Sequence, residues 1–241
     1  MNDKVIVITG ASEGLGKVVA TKLANEGAIV PVIAQNEDKL TETANQIGNK
    51  AIPFVCDISV PAQVRSTVDQ IMQRFGRVDI LINCAGIWTD ENLEVTNPER
   101  RRRVLEVNAF GTIEFTKALE PTFRAQNHGH ILNVISTSGT DDTNAGDNIL
   151  WQTYGASKWA VAGFTRALRD ALSETRIKVT GFYPGGFESN LYENANRDDP
   201  HDQPWMMKTE DVADALIYCL TRPSDMLIEK IVITKVQEDG Y

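Results

Sequence analysis

Seven short apolar runs, rich in β-branched residues, alternate along the whole chain with stretches of helical character. The runs read as strands over 4–9, 29–34, 51–55, 79–83, 130–136, 178–182 and 230–234. Between them, helices are expected over 17–27, 38–47, 62–75, 98–125, from Tyr154 to about Ser173, and 209–220. Strands this apolar on both faces belong inside a sheet covered on both sides. Strict alternation then dictates a doubly wound parallel sheet with right-handed crossovers and helices on both faces. No linker, internal repeat or low-complexity segment interrupts the pattern, so residues 1–241 are expected to form one domain. In such sheets ligands bind outside the carboxyl ends of the strands, where the strand order reverses.

The first strand runs directly into Gly10-Ala-Ser-Glu-Gly14-Leu-Gly16, and a helix ended by Gly27 follows. Strand, glycines, helix is the setting a phosphate-binding turn needs. Glycines let the backbone approach a pyrophosphate, and the helix N-terminus offers N–H donors at the positive end of its dipole. An ordinary βα turn is the competing reading of the same three glycines.

Tyr154 and Lys158 are four residues apart in a helical stretch and so project from one face. A free tyrosine titrates near ~10 and is a poor acid or base at neutral pH. An adjacent ammonium favours the phenolate and makes the hydroxyl a usable proton donor and acceptor. Taken alone, the pair is equally what a surface helix offers.

Together these motifs resemble the short-chain dehydrogenase/reductase family. Thr9-Gly-Ala-Ser-Glu-Gly-Leu-Gly16 is similar to its TGxxxGxG cofactor turn, and Asn83-Cys-Ala-Gly86 to its NNAG motif with Cys84 in the second asparagine position. Asn108, Ser136, Tyr154 and Lys158 fall in order where the family has its catalytic asparagine, serine, tyrosine and lysine. Pro184-Gly-Gly-Phe187 is similar to the PG motif after the sixth strand. The resemblance spans nearly the whole chain and implies a Rossmann-type fold that binds NAD(P)(H).

It further implies an oxidoreductase that interconverts a carbonyl and a secondary alcohol. Tyr154 would move the proton, Lys158 would hold the nicotinamide ribose, Ser136 would donate to the substrate oxygen, and Asn108 would hold a water in a proton relay. The expected cofactor-binding residues are Gly10, Ser12, Glu13, Gly14, Leu15, Gly16, Gln35, Asp57, Ile58, Asn83, Ala85, Gly86, Tyr154, Lys158, Pro184, Gly185, Phe187 and Ser189. Asp57 would face the adenine amine. A catalytically silent nucleotide-binding regulator and an epimerase or dehydratase are the alternatives on the same fold.

Two departures mark this chain within that resemblance. The polar stretch 141–148 lengthens the gap between serine and tyrosine, so counting from the strand selects Ser136 while Ser138 is the fallback. The C-terminus ends in a strand and a short polar tail where many relatives carry a glycine-rich segment. At the end of the second strand, Ala34 stands where NAD-binding relatives have Asp, and Gln35 where NADP-binding relatives often have Arg. The choice between the two cofactors stays open. Residues 187–207 are expected to form a lid, and with Trp88 and Trp151 its aromatic and Met content suggests an apolar or mixed carbonyl substrate.

Composition narrows the remaining classes. A net charge of −9 argues against a nucleic-acid surface, and the run Arg100 to Arg103 reads as a solvated or interface face. Three scattered cysteines and three histidines predict reduced thiols and no metal site. No apolar run approaches the roughly 18 residues of a membrane span, and no secretory-leader pattern precedes the first strand; the cytoplasm is the expected compartment. Apolar residues on several faces of the 98–125 helix (Val107, Phe110, Ile113, Phe115) and of the Tyr154 helix (Trp159, Val161, Phe164, Leu168) predict a homodimer or homotetramer.

Overall fold

The computed structural model describes residues 1–88, 97–141, 152–191 and 203–236. Among them, seven parallel strands form one sheet in the order β3-β2-β1-β4-β5-β6-β7. The strands are β1 (Ile6–Thr9), β2 (Val30–Ala34), β3 (Ala51–Val55), β4 (Ile80–Asn83), β5 (Gly129–Val134), β6 (Ile177–Pro184) and β7 (Lys230–Ile233). The helices are α1 (Gly14–Asn25), α2 (Glu37–Ile47), α3 (Pro61–Phe75), α4 (Pro98–Leu105), α5 (Thr112–Gln126), α6 (Gln152–Ala171) and α7 (Thr209–Leu220). The chain winds outward from β1 to β3, crosses back, and winds the other way from β4 to β7. The order therefore reverses between β1 and β4, which pair in register from Ile6↔Ile80 to Thr9↔Asn83.

Successive strand side chains point to opposite faces, and this sequence uses both faces for apolar packing. Ile6, Ile8, Ile80, Ile82 and Leu132 meet Val19 and Leu23 of α1 and Val212 and Leu216 of α7. Val7, Leu81 and Ile131 meet Ile71 of α3, Phe115, Leu119 and Phe123 of α5, and Leu168 of α6. Near the sheet centre a buried polar chain links strands to helices. Asn83 Nδ2 donates to Asn133 Oδ1 and to Thr116 Oγ1, both at 2.8 Å, and Asn133 Nδ2 donates to Thr165 Oγ1 at 2.8 Å.

Two helices depart from the sequence expectation. Helix α1 starts at Gly14, not Lys17, because the glycine turn itself forms the first helical turn. The expected helix over 98–125 is broken by a π-helical turn, Glu106–Gly111, which separates α4 from α5. Such turns lodge an extra residue in a helix and recur at functional sites; this one carries Asn108. Asn97 caps α4 by accepting from Glu99 N at 2.9 Å, ahead of Pro98 at the first helical position.

Candidate active site

The site begins where the strand order reverses. Thr9, the last residue of β1, accepts hydrogen bonds at its Oγ1 from Cys84 N (3.1 Å) and Ala85 N (3.2 Å), tying the loop after β4 to that after β1. Gly10 has φ of +68°, and a Cβ there would lie 2.5 Å from Ala85 Cα, so only glycine allows this approach. The residue before α1, Glu13, makes no side-chain cap. Its carboxylate instead meets Lys39 Nζ at 2.7 Å. The opening N–H groups of α1, at Gly14, Leu15 and Gly16, lie along a cleft without a side-chain cap across them.

That cleft has a volume of about 590 Å³ and runs across the carboxyl ends of the strands. Its walls include Gly10, Ser12, Glu13, Gly14, Leu15, Gly16, Gln35, Asp57, Ile58, Ala85, Gly86, Pro184, Gly185, Phe187 and Ser189, together with Ser136, Tyr154 and Lys158. Asn83 is not among them. Its side chain is buried, with Nδ2 committed to Thr116 and Asn133. Asn108 lies just behind the wall, 1% exposed.

At the other end of the cleft, β5 leads into Ser136 and a 3₁₀ turn, Thr137–Gly139. Ser136 Oγ accepts from Ser138 N at 3.1 Å, which fixes its rotamer. A Cβ on Gly139 would sit 2.9 Å from Lys158 O, so this glycine lets the serine turn rest directly on the backbone of α6. Ser138 also reaches the cleft, but as the N–H donor of that turn. Lys158 Nζ donates to Val134 O at 3.1 Å and lies 5.4 Å from the Tyr154 ring centre. Burial pushes the Lys158 ammonium down to about 8. Burial also pushes the neighbouring Cys84 thiol up to about 12, so it stays neutral.

Asn108 acts as a clamp. Its Oδ1 accepts from Ile87 N and its Nδ2 donates to Ile87 O, both at 2.8 Å. Nδ2 also donates to Ser157 Oγ at 3.0 Å, and Ser157 Oγ donates to Tyr154 O at 2.6 Å. The π turn, the loop after β4 and helix α6 are thereby joined around Tyr154. Sequence reasoning missed Ser157, whose spacing one residue before Lys158 carries no chemical signal of its own. It also missed Arg103 and Lys39, which line the cleft. The i,i+4 spacing of Arg103 to Val107, another cleft residue, was the signal available.

Trp88, Met206 and Leu191 pack with Tyr154 in an apolar cluster. Trp205 also lines the cleft, lying against Gly186, where a Cβ would be 2.4 Å from the indole ring. Met207 N donates to Gly186 O at 3.0 Å and Glu188 N to Met207 O at 3.1 Å, so the two ends of the expected lid are stitched together. Trp151, residues 142–148 of the polar stretch, and 192–202 of the lid lie outside the described residues. Among the described residues there is no cluster of His, Cys, Asp and Glu that could hold a metal, and no helix is long and apolar enough to cross a membrane.

A glycine turn at a strand-order reversal, with a serine, a tyrosine and a lysine gathered on the same cleft, defines an α/β enzyme built around a nucleotide. Residues 4–200 match the short chain dehydrogenase family. An uncharacterized oxidoreductase of Staphylococcus epidermidis is 30% identical over 236 residues, covering 98% of this chain and 99% of that one. Among solved structures, the 3-ketoacyl-(acyl-carrier-protein) reductase of Brucella melitensis complexed with NADH is 30% identical, with a TM-score of 0.85 and 97% of each chain covered. A metagenomic short-chain oxidoreductase in complex with NADP is 25% identical, with a TM-score of 0.80, covering 98% of this chain and 99% of that one. The chain belongs to the short-chain dehydrogenase family and is an oxidoreductase of that family.

Proposed function

We propose that this protein is an NAD(P)(H)-dependent oxidoreductase that interconverts a carbonyl and a secondary alcohol, with Tyr154 as general acid and base. The observation that carries the reading is the sharing of one cleft by the glycine turn and by Ser136, Tyr154 and Lys158. The glycine turn fits a pyrophosphate: Gly14 has open space where a Cβ would stand, Gly10 and Gly16 pack backbone to backbone, and the opening N–H groups of the helix carry no side-chain cap. Asp57 and Gln35 would hold the adenosine end, and Lys158, Pro184, Gly185, Phe187 and Ser189 the nicotinamide end. When bound, the nicotinamide supplies or accepts the hydride. Relatives complexed with NADH and with NADP both share this fold, and the reading covers both cofactors.

The chain's own residues supply the proton and the polarisation. Tyr154 would pass its hydroxyl proton to the carbonyl oxygen in reduction and take it back in oxidation. The Lys158 ammonium beside the ring favours the phenolate left behind. Ser136 Oγ accepts from Ser138 N, so its own O–H remains to be donated to the substrate oxygen. Asn108 spends its carboxamide on Ile87 and Ser157, so its part in a proton relay would be to hold the surrounding frame and Tyr154 in place. Trp88, Met206 and Leu191 beside Tyr154 favour an apolar or mixed carbonyl compound. Following NAD(P)H absorbance over ketones, aldehydes and alcohols tests the reading. Cofactor binding without turnover across that panel would leave a silent regulator instead.

Ser136→Ala is expected to lower kcat roughly a hundredfold, the range for a lost oxyanion-type donor. Ser138→Ala should be mild, because that residue serves Ser136 through its backbone N–H. Steady-state rates with the two variants decide it, and the reverse ranking would assign the donor to Ser138.

The reading extends to a homo-oligomer. Val107, Phe115, Val161 and Leu168 are buried within the subunit, but Leu105, Phe110 and Trp159 remain 42%, 43% and 45% exposed. These three lie on α4, the π turn and α6, which pack together. A second copy covering them in a two-fold contact is the simplest burial. Trp159→Glu with Phe110→Glu is expected to yield monomers by light scattering, and a wild type that is already monomeric at micromolar concentration would refute the contact.

A further inference from the structure

One side chain joins three separate elements across the adenosine end of the cleft. Arg103, on the last turn of α4, donates from Nη2 to Asp57 Oδ2 at 2.7 Å, just after β3. The same nitrogen donates to Gln35 Oε1 at 3.0 Å, just after β2, and Nη1 donates to Ser59 Oγ. The guanidinium is about one-third exposed and Asp57 less than a quarter, so the pair is partly withdrawn from water. Arg103 therefore spans the slot, whereas Arg100 and Arg102 of the same run are exposed.

Asp57 is unusually constrained for a loop residue. Its Oδ1 accepts from Ser59 N at 3.0 Å and from Ser59 Oγ at 2.7 Å. Its backbone N–H donates to Gln63 Oε1 at 2.8 Å. Oδ2 takes the bond from Arg103. A carboxylate offers about four lone-pair sites, so one remains on Oδ2, on the oxygen whose direction Arg103 sets. Burial opposes the charge, but the bonds from Ser59 and Arg103 outweigh it and hold the carboxyl below its ordinary value. The group is thus fixed as an acceptor only. It would attract an exocyclic amine on a purine and repel a carbonyl oxygen in the same place.

We propose that Arg103 is the positioning residue for base recognition, aiming the Asp57 carboxylate so that the cleft selects a 6-aminopurine over a 6-oxopurine. The proposal rests on the dinucleotide reading above. Arg103 acts through Asp57, and through Gln35 it holds the end of β2 at a fixed distance from the end of β3. A point-charge lysine could not make all of these bonds at once, since the planar fork of arginine supplies them from two nitrogens.

The test compares binding of NADH or NADPH, whichever binds more tightly, with its nicotinamide hypoxanthine analogue, by nucleotide fluorescence. The full-length wild type, Arg103→Gln, Arg103→Lys and Asp57→Asn are measured. A hydrogen bond to a charged acceptor predicts a wild-type preference for adenine of roughly tenfold or more. In Arg103→Gln the preference should fall to within about threefold of the Asp57→Asn value, with Arg103→Lys in between. Binding of the hypoxanthine form should change less than binding of the adenine form. An equal loss for both bases, with the ratio retained, would reduce Arg103 to a structural brace and overturn the proposal. An unchanged ratio with unchanged affinities would overturn it equally. Failure of the wild type to bind either dinucleotide would instead bring down the cofactor reading itself, and the proposal with it. Matching thermal midpoints for the variants exclude misfolding as the source of a lost ratio.

Discussion

Tyr154→Phe is expected to lower kcat by roughly three orders of magnitude, within the range for loss of a general acid or base, while leaving NAD(P)H affinity nearly unchanged. The substitution removes one oxygen from a residue that is 7% exposed and packed with Trp88, Met206 and Leu191. The ring keeps that apolar packing, so the fold and the wall of the cleft should persist. The backbone carbonyl of Tyr154, which accepts from Ser157, is untouched. What disappears is the phenol hydroxyl, on a ring whose centre lies 5.4 Å from the Lys158 ammonium. Rates at saturating cofactor, together with nucleotide fluorescence, separate the two effects. A variant within tenfold of wild type would remove Tyr154 from proton transfer, and one that no longer binds cofactor would make its role structural.

The same residues show what a sequence makes legible. Ile6, Val7 and Ile8 are short, β-branched and apolar on both sides, so a buried parallel strand follows from local chemistry, and seven such runs specify the sheet. Short loops and right-handed crossovers then put Gly10, Ser136 and Pro184 on one edge, because each ends a strand or lies within two residues after one. Helix ends were less legible. Glycine is a poor helix former, yet Gly14 and Gly16 open α1, because Gly14 holds a φ of +53° and a Cβ on Gly16 would lie 2.2 Å from Gly10 O. The π turn at Glu106–Gly111 leaves no mark in the apolar pattern, since it shifts the register by a single residue. Arg103 was hidden for a different reason. In a run of four arginines, only the helical phase of each decides which turns to the cleft, and the long-range partners Asp57 and Gln35 are invisible locally. Asn83 shows the reverse. Its motif resembles a cofactor element, but at the end of β4 its side chain serves the buried polar chain instead.

Lys158→Met should separate the lysine's cost to the fold from its value to the chemistry. Lys158 is 5% exposed, and burial pushes it from 10.5 down to about 8. Below pH 8 it is protonated in both the folded and the unfolded chain, and the folded state bears the full cost of the buried charge. Between about 8 and 10.5 the folded chain releases the proton while the unfolded chain still holds it, so stability rises with pH through this window. The shift corresponds to about 3 kcal/mol. Methionine fills similar space without a charge, so the variant should lack this rise. Urea unfolding of the cofactor-free protein at pH 7 and pH 10 therefore reads the effect directly: wild type should gain on the variant as pH rises. Parallel behaviour would mean that the ammonium is not disfavoured by its site. Turnover should move oppositely, falling roughly a hundredfold or more at pH 7, because the charge that burdens the fold is the one that favours the Tyr154 phenolate.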